Sequence, residues 1–308
     1  MAEKHVEVAV IGGGPAGYTA ALYAVRAGLS CTVFEKMTAG GQMCETMHID
    51  NYPGYAETVD GYTLGEAMRQ GAARFGAETV SDEVTALYLV ESPKRIVTAY
   101  SGEVTADAVI IATGATHRHL GLDREASLVG RGVSYCATCD GSFFRGKRVA
   151  VVGGGNSAVA DALYLAGICA EVTLIHRRDT LRASRVHEDQ LQKQQNLRIL
   201  YDSEVTDLLG DTRLSAVTVR NKKSGELHEL PLDGLFISIG RDPLTALVKD
   251  QLTLDEAGYI VASEDTHTNL AGVFTAGDVR TKPLRQIVTA TADGAVAAEA
   301  AAAYLATL

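Results

Sequence analysis

Two cysteines separated by two residues, Cys136 and Cys139, have the spacing best suited to chemistry in this 308-residue sequence. Two thiols this close can form a small disulfide that is readily reduced, and their surroundings can lower a thiol pKa. Asp140 follows directly, where a carboxylate can donate or accept a proton during thiol–disulfide exchange. The sequence therefore predicts a redox centre with Cys136, Cys139 and Asp140 as its catalytic residues.

Two other interpretations of this cysteine pair are half of a zinc site and a pair with no chemical role. Zinc needs four ligands, and the sequence has no second cysteine pair or histidine pair at a suitable spacing. We therefore predict no metal site. Cys31 and Cys169 adjoin apolar segments, where cysteine behaves as a small hydrophobic residue.

A glycine-rich loop occurs twice, each time between an apolar strand and a helix. In such loops the first glycine permits a tight turn, the second lets a pyrophosphate approach the backbone, and the third small residue packs helix against strand. Glu35 and His176 end the next strands, each 23 positions after the first glycine of its loop. One such loop also suits an ordinary turn, but a matched pair predicts two nucleotide-binding units. The predicted contacts are Gly12, Gly14, Pro15, Ala16 and Gly17 in the first loop and Gly153, Gly155, Asn156, Ser157 and Ala158 in the second.

The strand-end residues distinguish the two predicted nucleotide sites. Glu35 is an acid placed to bind a ribose hydroxyl pair. The second unit instead has His176, Arg177 and Arg178, with Arg182 one turn further on, as a ribose 2′-phosphate requires. A solvated basic surface is the alternative, but the position favours NADPH. Charged hydrogen bonds contribute roughly 1.5–3 kcal/mol each, so two of them favour NADPH over NADH by about a hundredfold or more.

The two units also share late apolar strands, which end at Gly114 and Gly240. A final segment, Val273–Asp278, has no counterpart in the second unit, so we expect it to return to the first domain and to place Asp278 near the nucleotide there. The predicted fold is α/β, with two Rossmann-like domains and the second inserted in the first. The expected bounds are 1–116 and 244–308 for the first domain and 117–243 for the second.

Composition and charge exclude several classes of protein. The formal charge of −10 argues against nucleic-acid binding, which needs a basic surface. Asp293 and Glu299 interrupt the apolar C-terminal stretch, so no membrane span is expected. No charged leader precedes the first apolar strand, and five cysteines do not suggest a secreted disulfide framework. We expect a cytoplasmic protein.

Taken together, these motifs resemble the low-molecular-weight thioredoxin reductases of bacteria and plants over nearly the whole chain. The cysteine motif just before the second glycine loop distinguishes this family from disulfide reductases whose cysteines lie in the flavin domain. Leu284 and Ala292 depart from the family's usual tyrosine and glycine. The motifs that carry the resemblance are the two glycine loops, Gly40-Gly41-Gln42, Asn51-Tyr52-Pro53-Gly54, Ala112-Thr113-Gly114, Cys136-Ala137-Thr138-Cys139-Asp140-Gly141, His176-Arg177-Arg178, Gly277-Asp278 and Arg285-Gln286.

The resemblance implies a homodimeric flavoprotein of the class II pyridine nucleotide-disulfide oxidoreductase type. NADPH would reduce FAD, which would reduce the Cys136–Cys139 disulfide, which would in turn reduce thioredoxin or a thioredoxin-like protein. Cys139 is then the sulfur that faces the flavin, Cys136 attacks the partner, and Asp140 is the acid/base. The FAD contacts implied beyond the first loop are Glu35, Gly41, Gln42, Asn51, Thr113, Gly114, Gly277, Asp278, Arg285, Gln286 and Ile287.

The position of Cys136 in the chain adds a prediction about motion. Because Cys136 and Gly153 fall in the same inserted domain, disulfide and nicotinamide need the same flavin in turn, so we expect domain rotation. The expected hinges are Thr116–His119 and Arg241–Pro243. Rival interpretations are a flavin-dependent dithiol oxidase, which would not need the basic triplet, the flavoprotein half of a peroxide-reducing system, and a non-catalytic redox sensor.

Overall fold

A computed structural model describes residues 4–46, 48–183 and 190–308 and divides the chain into two compact units. The first unit is Met1–Thr116 with Asp242–Leu308, and the second is His117–Arg241. The strands are β1 Lys4–Ile11, β2 Cys31–Glu35, β3 Glu78–Ser81, β4 Val84–Tyr88, β5 Lys94–Thr98, β6 Glu103–Ile111, β7 Ala115–His117, β8 Val133–Ser134, β9 Arg148–Gly153, β10 Glu171–Ile175, β11 Leu197–Leu200, β12 Ser203–Leu209, β13 Ala216–Asn221, β14 Leu227–Pro231, β15 Gly234–Ser238, β16 Arg241–Pro243 and β17 Val273–Thr275. The α-helices are α1 Pro15–Arg26, α2 Gly61–Ala73, α3 Glu125–Leu128, α4 Ala137–Asp140, α5 Asn156–Ala166 and α6 Ile287–Leu305, and 3₁₀ turns span Gly41–Glu45, Gly141–Phe144 and Gly277–Val279.

The first unit is built on a seven-stranded sheet in the order β3-β2-β1-β6-β5-β4, with β17 paired to β6. Val10 on β1 aligns with Val33 and Ile110, and Ile110 aligns with Phe274. These side chains form one core with alanines of α1 and α6. The alternate residues, such as Ile11, face a second core, as expected for strands covered on both faces.

The second unit repeats this plan on a parallel sheet in the order β11-β10-β9-β15-β8. Val151 aligns with Leu174 and Phe236, and this face packs on α5. The other face packs against the antiparallel sheet β12-β13-β14. The predicted α/β class with two Rossmann-like units is confirmed.

Both chain crossings between the units lie in a two-stranded sheet formed by β7 and β16. Thr116 Oγ1 donates a hydrogen bond to the carbonyl of Asp242, 3.4 Å away. The segments expected from sequence as hinges, Thr116–His119 and Arg241–Pro243, fall at these crossings.

Candidate active site and nucleotide sites

The segment 136–140, which we call the redox turn, lies between β8 and the 3₁₀ turn that starts at Gly141. Cys136 and Cys139 form a disulfide with Cα atoms 5.3 Å apart, and α4 supplies the single turn of helix that brings them together. Both cysteines are half-buried. A side chain on Gly141 would come within 2.9 Å of Tyr164 on α5, so the absence of one lets the turn pack closely on the helix that follows the second glycine loop.

Asp140 is held in place by a residue that the sequence analysis did not identify. The Ser134 hydroxyl donates to Asp140 Oδ2 at 2.6 Å and accepts from the backbone N–H of Cys136 at 3.1 Å. Ser134 is only 3% exposed. Through these two hydrogen bonds the buried serine fixes the position of Asp140 relative to the backbone of Cys136.

Tyr135 anchors the strand that leads into the first cysteine. Its hydroxyl donates to Glu125 at 2.6 Å and lies 2.8 Å from His119 Nδ1, and its ring stacks on His117 with centroids 5.0 Å apart. Burial acts to raise the pKa of Glu125, but hydrogen bonds from Tyr135 and the backbone amides of residues 120–122 outweigh it and lower that pKa. Burial lowers the pKa of His117 to about 4, so this ring is neutral at physiological pH.

The first glycine loop has the geometry that a pyrophosphate requires. Gly12 has φ of +109°, and a side chain there would overlap the carbonyl of Ala112. A side chain on Gly17 would overlap the carbonyl of Gly12, whereas one on Gly14 would meet only the carbonyl of Gly40, 4.0 Å away. Gly14 caps α1, and Pro15 and Ala16 open the helix. Gly12 and Gly17 therefore have no space for a side chain, where the loop turns and packs. Gly14 leaves open space at the helix N-terminus, where a phosphate would approach.

The second loop repeats this arrangement. A side chain on Gly153 would overlap Ser238 and Ala158, whereas one on Gly155 would meet no atom within 4 Å. Gly155 caps α5, which opens with Asn156 and Ser157. Ala158 is fully buried at the third small position. This repeated pattern of closed and open positions fits two dinucleotide sites.

Matched substitutions in the second loop separate its two kinds of glycine. Position 155 has space for a side chain, and its backbone is extended, with φ −92° and ψ 179°, so Gly155→Val should fit without strain. We expect stability within about 0.5 kcal/mol of the parent but a KM for NADPH raised at least about tenfold, because the side chain occupies the phosphate approach. Gly153→Ala should instead destabilise folding by roughly 1–3 kcal/mol through overlap. Thermal unfolding measures the stability of each variant, and steady-state kinetics measures its KM for NADPH. Equal changes of stability and KM in the two variants would contradict the separate roles of Gly153 and Gly155.

Several predicted FAD residues surround the first loop. Glu35 reaches back to it, with Oε2 accepting from Gly13 N at 2.7 Å and Oε1 from Met37 N at 2.9 Å. A side chain on Gly41 would lie 3.4 Å from Gly14, so the turn that holds Gly41 and Gln42 borders the loop. Thr113 Oγ1 donates to the carbonyl of Leu244 at 2.7 Å, and the adjacent Gly114 has φ of +75°.

The remaining predicted FAD residues meet at the N-terminus of α6. Asn51 Nδ2 donates to Gln286 Oε1 at 3.0 Å, and Gln286 forms a capping box with Thr289. Arg285 Nε donates to the carbonyl of Asp278 at 3.4 Å, and its guanidinium lies 4.0 Å from the centre of a tyrosine ring. The other members of the group are Gly277 and Ile287, the first residue of α6. A side chain on Gly277 would lie 2.9 Å from the Cβ atom of Ala16.

A buried charge network that the sequence analysis missed supports this region. Asp293 on α6 accepts from Arg280 at 2.7 and 2.9 Å, from Lys282 at 2.8 Å and from the backbone N–H of Gly277 at 2.9 Å. Burial acts to raise the pKa of Asp293, but these bonds outweigh it and lower that pKa. Only the position of Asp293, one of two acids in a largely apolar helix, hints at this role in the sequence.

The basic group at the end of β10 is divided between surface and interior. Arg177, Arg178 and Arg182 are exposed, as a phosphate site needs. His176 is only 4% exposed, and both of its ring nitrogens lie 2.9 Å from backbone carbonyl oxygens. The predicted FAD and NADPH residues belong to different units.

Comparisons with known proteins agree on one family. Residues 6–294 match the pyridine nucleotide-disulphide oxidoreductase family. The thioredoxin reductase of Streptomyces coelicolor is 47% identical over 98% of this chain and 94% of its own length, and that of Treponema pallidum is 44% identical over 99% of each. The crystal structure of thioredoxin reductase from Streptococcus pyogenes aligns over 100% of both chains with a TM-score of 0.92 and 40% identity.

The chain therefore belongs to the pyridine nucleotide-disulphide oxidoreductase family, within its low-molecular-weight thioredoxin reductases. The resemblance inferred from the motifs is confirmed, and so are the predicted enzyme class and the cofactors of that family, FAD and NADPH. In the part of the chain that the structure describes, no helix is both long and apolar enough to cross a membrane.

Proposed function

We propose that this chain uses NADPH to reduce the disulfide of thioredoxin or of a thioredoxin-like protein. The observation that carries the proposal is the half-buried Cys136–Cys139 disulfide, which belongs to the same unit as the second glycine loop. The alternative of an oxidase that passes electrons to oxygen gives no reason for three exposed arginines at the end of β10.

Each cofactor has a set of residues that fits it. FAD would be held by the first loop near Gly14, by Glu35 at its ribose, and by the Asn51–Gln286 pair at the start of α6. NADPH would be held by the second loop near Gly155, with Arg177, Arg178 and Arg182 binding its 2′-phosphate. When bound, FAD accepts a hydride from NADPH and supplies an electron pair that can reduce a disulfide.

The protein's own residues carry out the exchange with the substrate. The Cys136 thiolate attacks one sulfur of the substrate disulfide, and a mixed disulfide forms as the other substrate sulfur leaves and takes up a proton. The Cys139 thiolate then attacks Cys136 Sγ, which re-forms the internal disulfide and releases the second substrate thiol. Asp140, held by Ser134, takes and returns the proton of Cys139.

The direct test is NADPH oxidation in the presence of a panel of small disulfide proteins. We expect rapid turnover with thioredoxin-like proteins under anaerobic conditions and little NADPH consumption without them. NADPH consumption that depends on oxygen and not on any disulfide protein would instead indicate an oxidase.

The nucleotide preference is tested by replacing the two arginines that follow His176. Arg177→Ala with Arg178→Ala should raise the KM for NADPH about a hundredfold more than the KM for NADH, because only NADPH carries the 2′-phosphate that they bind. Steady-state kinetics with both nucleotides measures the ratio. Arg220→Ala, an exposed arginine of the same unit, is the control. An equal change for NADPH and NADH would remove the 2′-phosphate role.

The proposal includes rotation of the His117–Arg241 unit between half-reactions. Disulfide and NADPH loop share that unit, whereas the FAD residues belong to the other, so one unit must present two groups in turn. A cross-link that joins the two units should abolish turnover and leave one half-reaction intact. Full cycling of the cross-linked enzyme would exclude the rotation.

The proposal also includes a homodimer in the cytoplasm. An apolar groove of about 600 Å³ runs between α1, α2 and the start of α6, and Tyr23, Tyr55 and Val288 beside it are about two-fifths exposed. Such a patch suits a protein interface. Sedimentation of the parent and of Val288→Asp tests this: a dimer and a monomer are expected, and a monomeric parent would contradict it.

A further inference from the structure

His176 joins two loops of the second unit. Its ring Nδ1 lies 2.9 Å from the carbonyl oxygen of Gly153, in the glycine loop, and its Nε2 lies 2.9 Å from that of Thr180, in the segment that follows β10. Carbonyl oxygens only accept hydrogen bonds, so a protonated ring nitrogen donates to the carbonyl oxygen that it faces.

The glycine loop is shaped around this ring. A side chain on Gly154 would overlap His176 Nδ1, so the ring occupies the space that a side chain at position 154 would need. The backbone N–H of Arg182 also donates to the carbonyl of Gly154 at 2.7 Å. The segment that carries the three exposed arginines is therefore tied to the glycine loop at both of its ends.

The first unit has a corresponding bridge with the opposite hydrogen-bond polarity. Glu35 occupies the same place after its strand and accepts from Gly13 N at 2.7 Å and from Met37 N at 2.9 Å. A side chain on Gly13 would lie 2.9 Å from Glu35 Cβ, as Gly154 lies against His176. The strand-end residue thus joins the glycine loop to the following segment in both units.

We propose that His176 is a positioning residue that determines nucleotide preference and is not itself a phosphate ligand. By fixing the 176–182 segment to the glycine loop, it sets the distance between the pyrophosphate site and Arg177, Arg178 and Arg182. A dinucleotide with a 2′-phosphate spans that distance. This inference rests on the proposed use of NADPH.

The test compares two probes that differ only in the 2′-phosphate, adenosine 2′,5′-bisphosphate and adenosine 5′-monophosphate, by calorimetry on the FAD-loaded enzyme. His176→Phe keeps a ring and removes both nitrogens that face the two carbonyl oxygens. We expect the ratio of the two affinities to fall about tenfold or more, the effect of one displaced charged hydrogen bond, with the monophosphate affinity changed less than about threefold. His228→Phe, the same change at an exposed position of the same unit, should leave the ratio unaltered.

Gly154→Ala gives an independent measurement with the histidine retained. Its new methyl group displaces the ring, so the same loss of preference is expected even if His176→Phe folds poorly. In the background of Arg177→Ala with Arg178→Ala, His176→Phe should change the ratio less than about twofold, because coupled residues are not additive.

The outcomes separate this inference from the proposed function. If the arginine pair leaves the ratio of affinities unchanged, the 2′-phosphate site itself is refuted. If the arginine pair lowers the ratio but His176→Phe and Gly154→Ala do not, only the positioning role fails. If the two variants bind adenosine 2′,5′-bisphosphate and adenosine 5′-monophosphate more weakly by the same factor, the positioning role is also overturned. Such a result would show a general effect on the structure.

Discussion

Cys136→Ser and Cys139→Ser should each reduce thioredoxin-dependent NADPH oxidation to background. Serine oxygen cannot form the disulfide or the mixed disulfide, so the loss is expected to be at least about a thousandfold, as for other residues on which a covalent step depends. The variants should still bind FAD, and NADPH should still bleach its visible absorbance, because the residues assigned to nucleotide binding are intact.

Cys44→Ser is the matched control for these cysteine variants. Cys44 is half-buried, and its thiol donates to the carbonyl of Ala39 at 2.9 Å; it belongs to the first unit, whereas Cys136 and Cys139 belong to the second. Turnover should remain close to the parent value. Turnover that survives in Cys136→Ser, or that is lost equally in Cys44→Ser, would contradict the assignment of the redox centre.

Asp293→Asn is expected to have the largest effect on stability. Arg280 and Lys282 have side chains only 1% and 3% exposed, so loss of the carboxylate leaves two buried cations without their shared partner. Breaking a buried pair in this way costs about 3–5 kcal/mol. Because Asp293 also binds Gly277 N–H, beside Asp278, we expect weaker retention of FAD as well. Urea unfolding and flavin release measure the two effects.

A second acid on the same arginine provides the control. Glu264 lies 3.4 Å from Arg280, but its side chain is 86% exposed, so Glu264→Gln should cost less than about 1 kcal/mol. Folding lowers the pKa of Asp293 below its ordinary value of 3.8. The carboxylate therefore adds to the free energy of unfolding at neutral pH, and this stabilisation is lost as the pH falls from 3.8 through the lowered pKa. Equal costs for the two variants would exclude a buried network.

The parts of the site predictable from sequence are those that local geometry determines. Gly12 and Gly153 each sit where a side chain would overlap a neighbouring strand or turn, and this requirement appears directly as a glycine pattern. The Cys136–Cys139 pair is likewise a local feature. The placement of Glu35 and His176 at strand ends follows from the regular length of a strand–helix–strand unit.

The parts that sequence did not reveal depend on contacts between distant segments. Asp293 meets Arg280 and Lys282 only because α6 packs beside the turn at Gly277. Ser134 looks like an ordinary strand residue until the redox turn folds back toward it. The basic triplet predicted three similar phosphate contacts, but the direction of the His176 ring is set by the space above Gly154, which no local pattern encodes.

The most direct test of the central claim is an anaerobic NADPH titration in which alkylatable thiols are counted before and after reduction. Two additional thiols per chain should appear, at positions 136 and 139. Cys31 and Cys169 should stay unreactive in both states, because burial raises their pKa values to about 12 and about 11. A flavin that NADPH reduces while the number of reactive thiols stays constant would contradict an electron path through this disulfide.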